Sequence, residues 1–488
     1  MGVLPSRRRR RHRQLAPCGA GHRRRRDAGR RQAARACAHQ RPRDRRRPTR
    51  GCRISGGHRD GATASYPLAD DRGSRLKTLL VGARQVVTCR GPARARRGRE
   101  MAEIEVLRDA AVLIDGDRIA WVGPRADVGA QHAGPLREVE VNGVLFPGFI
   151  DCHTHGVFGA PRLDDHERRA LGVDYRAIAA AGGGILQSVR DVRARPEAEL
   201  EALTRARLAA LLAGGSTTIE VKSGYGLELE AELKQLRVIK TLGEELCATL
   251  VPTFLGAHEV PPEYRSKRAD YVQLLCEEMI PAVSREGLAR SCDVFCEPGV
   301  FSVQESRQIL TAARRHGLTV KLHADELEGS GGAELAAELG ALSADHLAAI
   351  SDPGIRALAA SDTVAVLLPA TMIFLGKRSQ APGRRLIDAG AAVALATDFN
   401  PGTSPTMSLP LVMTLGVSQL GLRHAEVVTG VTINAAAALG LAADRGQIAA
   451  GYVADLVLAA VDDWREVAYW MGTDVVSAVW TAGSACPA

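Results

Sequence analysis

The sequence predicts an α/β protein: a (β/α)8 TIM-type barrel with a small β-sandwich domain built from both chain ends. Three observations carry that expectation. Eight short apolar runs, continuous rather than alternating, recur through residues 144–437 with amphipathic segments between them. That is the pattern of parallel strands covered by helices on both faces. Shorter β-type runs flank the region on either side. Finally, the residues able to do chemistry gather where apolar runs end, the rim on which barrels carry their active sites.

A chain of 488 residues can bury one large core or two moderate ones. Its 45% hydrophobic and 24% charged residues are ordinary for a globular protein. No apolar run reaches 18 residues, so a transmembrane helix is not expected. The net charge of +9 is unevenly placed. Residues 1–50 hold 19 Arg, no Lys, two Asp and no Glu, a net +17 that leaves −8 for the rest. The folded body is mildly acidic, which excludes a basic nucleic-acid face on it as the source of the charge. Ten cysteines are scattered without a framework. Cys292 and Cys296 have no second pair to complete a zinc site, so reduced thiols in a cytoplasmic protein are expected.

Taken in order, residues 1–75 are Arg-rich and low in complexity, expected to be a disordered leader or the product of a misplaced start. No apolar h-region follows Arg7–Arg11. Residues 76–143 should form the N-terminal part of the sandwich. LKTLLVGARQVVT reads as a strand, and AAVLIDGDRIAWVG as two strands around the turn signal Asp115-Gly116. The barrel, residues 144–437, takes its strands from VLFPGFIDCHTH, STTIEVKSGYG, ATLVPTFLGAH, SCDVFCEPG, LTVKLHADE, ALSADHL, TVAVLLPA and AAVALATDFNPG. PEAELEALTRARLAALLAGG and VQESRQILTAARRHG are typical of the helices between them. Residues 438–488 should supply a helix and strands that complete the sandwich, with VADLVLAA and VSAVWTAGSA as the strands.

His153 and His155 end the first run, Tyr225 follows the second, His258 ends the third, His323 and Glu326 the fifth, His346 the sixth and Asp398 the eighth. Two residues apart on an extended strand, His153 and His155 point the same way and can share one metal ion. His323 is the expected third ligand and Asp398 the fourth, a set that suits zinc or iron. A bound ion lowers the pKa of its water from 15.7 towards roughly 7 and polarises a carbonyl, which describes amide hydrolysis without a covalent intermediate. Asp398 and Glu326 are the candidates for moving the proton. Gly182-Gly183-Gly184 lacks the following Gly-Lys-Ser/Thr of a phosphate loop, and His166 and His316 read as solvated helix residues.

FPGFIDCHTH resembles the first barrel strand of the amidohydrolase superfamily. CHTHGVFGAPR, GGGILQSVR, VKSGYGL, FLGAHEVPPEY, DVFCEPGVFS, LHADEL, SADHL and ATDFNPGTSP, in family order over residues 77–480, together resemble the imidazolonepropionase family of histidine degradation. The resemblance implies that water opens the ring of 4-imidazolone-5-propanoate to give N-formimidoyl-L-glutamate. It implies one divalent or trivalent metal ion per subunit, zinc or iron, on His153, His155, His323 and Asp398. Substrate contacts carry over to Arg162, Tyr225, His258, Glu326, Asn400, Gly402 and Thr403. His258 and His346 would join Asp398 and Glu326 in catalysis, donating to the ring carbonyl as negative charge develops. Dinuclear members carry a bridging modified lysine on the fourth strand. SCDVFCEPG has none, and Lys222 and Lys321 lie elsewhere, so one metal is implied. The expected partner is a small molecule, with neither membrane nor nucleic acid engaged by the folded domain, and a homodimer is compatible.

Gly156 stands where a larger apolar residue is usual, and Ala160-Pro161 where the family has Gly-Asp. Two other readings stand beside this one. A hydrolase or deaminase of the same superfamily could act on another cyclic amide or an aminopurine, but would not need Arg162, Tyr225 and the Asn400–Thr403 loop together. A nucleic-acid-binding protein could use the Arg tail, with steep salt dependence as its mark.

Overall fold

The computed structural model describes residues 76–486, apart from residues 133, 175–176 and 179–180. The expectations for residues 1–75 lie outside the described residues.

All eight expected runs form strands of one parallel sheet: Phe149–Asp151, Ser216–Lys222, Thr249–Ala257, Ser291–Cys296, Thr319–Ala324, Ser343–His346, Val364–Leu367 and Val393–Leu395. They lie side by side in chain order. First and last meet through the bridge Thr154–Phe399, the His155 N–H donating to the Phe399 carbonyl at 2.8 Å. The barrel thus closes at the end of the strands where the candidate ligands stand.

Helices pack outside. Leu200, Leu208, Leu211 and Leu212 of Glu197–Ala213 are buried, an apolar stripe on a helix whose charged residues are exposed or half-buried. Val303–Arg315 starts at Ser302, whose side chain and Glu305 form a reciprocal capping box.

Beside the barrel, a four-stranded and a six-stranded sheet share a core of Leu80, Val112, Leu145, Leu456 and Trp480, among others. The six-stranded sheet joins both chain ends, pairing Val144–Pro147 with Leu456–Ala459. Asp115 pairs with Arg118 across the expected hairpin turn.

Three expectations are corrected. LKTLLVGARQVVT is two strands in different sheets, Lys77–Val81 and Gln85–Val87, broken at Gly82 with φ +83°. VLFPGFIDCHTH is also two. Val144–Pro147 belongs to the sandwich and the barrel begins at Phe149 rather than residue 144. A Cβ at Gly148 would collide with Thr217 Oγ1, so the change of sheet needs glycine there. Among the described residues, 438–486 contain strands but only a short 3-10 segment, Trp464–Ala468, in place of the expected helix. No helix among the described residues is long and apolar enough to cross a membrane.

Candidate metal centre

Barrel curvature turns the ends of the first, fifth and eighth strands towards one point. His153 Nε2 lies 3.2 Å from His155 Nε2, which lies 3.3 Å from His323 Nε2. Asp398 Oδ1 is 3.5 Å from both His153 Nε2 and His155 Nε2. Ligands bonded at about 2.0–2.1 Å to a tetrahedral ion stand roughly 3.3–3.4 Å apart, and these four separations are close to that spacing; His153, His155 and Asp398 form one compact ligand group and His155, His258 and His323 another. All four side chains are buried. Burial first, then neighbouring positive groups, holds His153 and His155 well below the usual histidine range, and neutral imidazole is the form that ligates. The residues fit a metal ion.

A second layer of charge lies beneath. His153 Nδ1 is 2.6 Å from Asp345 Oδ2, and His323 Nδ1 is 3.0 Å from Asp293 Oδ2. Each carboxylate aims its ring, a common device of metal sites. Lys222 Nζ lies 2.8 Å from both Asp293 and Glu220, and Lys321 Nζ 3.1 Å from Glu220. All five of these charged side chains are fully buried. Burial works against the charge on Lys222, but Asp293, Glu220 and Asp345 outweigh it and hold it above the usual lysine range. Asp398 is fixed separately: Thr371 Oγ1 donates to its Oδ2 at 2.6 Å. Sequence reasoning missed Asp293, Asp345, Glu220 and Thr371 and left both lysines without a role.

Asp398 and two residues that end neighbouring strands sit in strained backbone. Asp325, His346 and Asp398 have φ of +52°, +79° and +53°. Such conformations cost roughly 1–3 kcal/mol each and collect at functional sites.

Arg162, Tyr225, His258, Glu326, His346, Asn400 and Thr403 line the same cavity as His155, His323 and Asp398, with Ile185 and Phe295 as further walls that the sequence reading missed. The cavity is small, about 30 Å³, and adjoins a cleft of about 420 Å³ that shares Ile185, Phe295 and Glu326. A ring substrate therefore needs the cleft as well, or a wall that gives.

Arg162 is 4% exposed, and its buried Nε and Nη1 have no hydrogen-bond partner. Gly402 stands beside it rather than lining the cavity, and a Cβ there would collide with the guanidinium. Asn400 is spent on its own loop. Its Oδ1 accepts from the Gly402 and Thr403 N–H groups at 2.9 and 2.7 Å, and its Nδ2 donates to the Asp398 carbonyl at 2.7 Å. Asn400 thus builds the loop rather than offering a free donor.

His258 departs from expectation. Its Nδ1 donates to the Gly224 carbonyl at 3.0 Å, and burial with nearby His323 lowers its pKa to about 3. The neutral ring leaves Nε2 as an acceptor, so His258 has no N–H left to donate into the cavity. His346 Nε2 is buried without a partner. Its Nδ1 lies 3.8 Å from Glu326 Oε1. Burial, then Asp398 and Glu297, pushes the Glu326 carboxyl well above the usual range. His166 and His316 are exposed, as expected.

A closed parallel barrel with a His and Asp cluster at its rim defines a class. Residues 144–486 match the model of the Amidohydrolase family, and the chain belongs to that family. It also superposes on an adenosine deaminase from Xanthomonas campestris, with TM-score 0.61 and 18% identity over 84% of this chain and 92% of that one. For E. coli guanine deaminase the values are 0.62, 15%, 84% and 99%. At those identities the likeness shows the fold alone.

Within the family the relationship is narrower. The chain is 46% identical to an imidazolonepropionase of Solibacter usitatus over 83% of this chain and 97% of that protein. It is 48% identical to one of Deinococcus radiodurans, over 84% and 99%. Residues 110–134 match an imidazolonepropionase-like composite domain of bacteria. The chain belongs to the imidazolonepropionase family.

Proposed function

We propose that the protein hydrolyses 4-imidazolone-5-propanoate to N-formimidoyl-L-glutamate in histidine catabolism, with one zinc or iron ion held by His153, His155, His323 and Asp398. The observation that carries the choice of substrate is Arg162. A buried guanidinium with unpartnered N–H groups needs an anion, and a propionate arm supplies a carboxylate for a bidentate pair. A neutral ring such as an aminopurine leaves that charge unanswered.

Each side chain then has a task. Arg162 holds the carboxylate at one end of the cavity, and Tyr225, His258 and Thr403 border the ring. The ion, when bound, polarises the ring carbonyl and acidifies the attacking water. Glu326 accepts a proton as the water oxygen bonds to the carbonyl carbon. It returns that proton to the ring nitrogen as the C–N bond breaks, so water is consumed and no residue is changed. Glu326 is the better carrier than Asp398, because Thr371 holds one Asp398 oxygen and the other faces the imidazoles. His346 Nε2, protonated there, donates to the developing oxyanion.

The test is consumption of 4-imidazolone-5-propanoate by metal-loaded protein against a no-enzyme control, with the product identified by mass spectrometry. N-formimidoyl-L-glutamate formed in step with substrate loss is expected. Folded, metal-bound protein that leaves the substrate intact would sink the reading.

A further inference from the structure

The motif DVFCEPGVFS contains a carboxylate, Glu297, that has no task in the proposed reaction. Glu297 follows the fourth barrel strand and is 2% exposed. Arg268, which lines the same cleft, pairs with Glu305 at 3.0 Å instead. The Glu297 carboxylate takes three consecutive backbone N–H groups of the turn after the fifth strand. Oε2 accepts from Glu326 at 3.1 Å, and Oε1 from Leu327 at 3.2 Å and Glu328 at 2.7 Å. Burial pushes the Glu297 carboxyl up to about 7, against the three backbone hydrogen bonds that pull it down by favouring its charged form.

Those bonds fix one thing above all, the backbone from which the Glu326 side chain leaves. The other side of Glu326 is held the same way. Asp325 accepts from the N–H groups of Ser330 at 2.6 Å, Gly331 at 3.1 Å and Ala333 at 3.1 Å. Glu297 is itself anchored, its N–H donating to the Phe301 carbonyl and its carbonyl accepting from Val300 N–H, at 3.1 and 2.9 Å. Glu326 therefore stands between two carboxylate-stapled stretches of chain.

We propose that Glu297 is a positioning residue for the reaction: its carboxylate holds the backbone of residues 326–328 so that the Glu326 carboxyl stays aimed into the cavity. An amide cannot take its place, because glutamine offers one oxygen and turns an NH2 donor towards the other N–H groups. The inference rests on Glu326 as the proton carrier.

The experiment is steady-state kinetics on the full chain, per bound metal, for wild type, Glu297→Gln, Glu326→Gln and the double variant, with melting temperatures. Glu297→Gln is expected to lower kcat by about 10- to 100-fold, the scale of a small misplacement of a reacting group, while KM moves less than about threefold. The double variant should be no slower than Glu326→Gln alone, since residues acting through one another do not add. A merely structural role would lower melting temperature and metal content and leave kcat per bound metal unchanged. Wild-type kcat in Glu297→Gln beside an inactive Glu326→Gln overturns the inference alone, as do losses that multiply in the double variant. A fully active Glu326→Gln overturns the carrier reading and the inference with it. Should Glu297→Gln not fold, Glu297→Asp keeps the charge but draws the turn back by one methylene, and the same kcat loss and non-additivity are expected of it.

Discussion

The Asp398 N–H donates to the His153 carbonyl at 3.0 Å, and Asp398 Oδ1 lies 3.5 Å from His153 Nε2. One pair of residues thus both closes the barrel and brings two of the proposed metal ligands together. The backbone half of that link does not depend on the side chain. Asp398→Asn should therefore keep the fold, hold metal less tightly and lose turnover. Metal content after a timed chelator challenge, beside circular dichroism, checks this. Undiminished retention would remove Asp398 from the ligand set.

Metal removal should lower the melting temperature. Without an ion, three imidazoles and a carboxylate face one another in a buried pocket, whereas an ion bound only by the folded state stabilises it by mass action. The melt is expected to drop on chelation and recover when zinc or iron is restored. A melt indifferent to chelator would contradict a metal centre here.

Arg162→Met should raise KM by about 10- to 100-fold, the size of a lost charge-assisted hydrogen-bonding pair, with a smaller effect on kcat. Gly402→Ala should act in the same direction, since the new Cβ collides with the guanidinium. An unchanged KM in Arg162→Met would remove the carboxylate anchor and with it the choice of substrate.

Lys222→Met leaves Asp293 and Glu220 buried with one cation fewer. Breaking a buried pair in this way costs about 3–5 kcal/mol, and the His323 ring loses the restraint on its partner Asp293. Lower stability in urea together with weaker metal retention is expected. A variant as stable and as metal-retentive as wild type would mean that the lysine layer is dispensable.

Glu326 must be ionised to take a proton, and burial, Asp398 and Glu297 all favour its protonated form. The rate should therefore fall as pH drops through a folded-state pKa above the ~4.3 of a free glutamate. The pH profile of kcat/KM reports that limb. A rate that stays flat on the acid side down to the ordinary glutamate value would show that this carboxyl is not the base.

What the sequence disclosed and what it hid have physical causes. The clustering of the candidate ligands was legible because each stands where a continuous apolar run stops, and in a parallel barrel those stops share one rim. Lys222, Asp293, Lys321 and Asp345 lie inside the runs and face the barrel interior, where no periodicity marks which strands they connect. Their meaning depends on partners two or more strands away, such as Lys222 with Asp293 and His153 with Asp345. The break at Gly148 was hidden for a related reason. Val144–Pro147 and Phe149–Asp151 are buried throughout, so the apolar run continues unbroken across a change of sheet. The tautomer of His258 depends on the Gly224 carbonyl, which only the fold brings within reach.

Whether one ion at the proposed centre drives ring opening is decided by titrating zinc or iron into chelator-stripped protein while following 4-imidazolone-5-propanoate. Turnover should rise linearly to one equivalent per chain and then level off. Full activity with no metal, or a break at two equivalents, would contradict it.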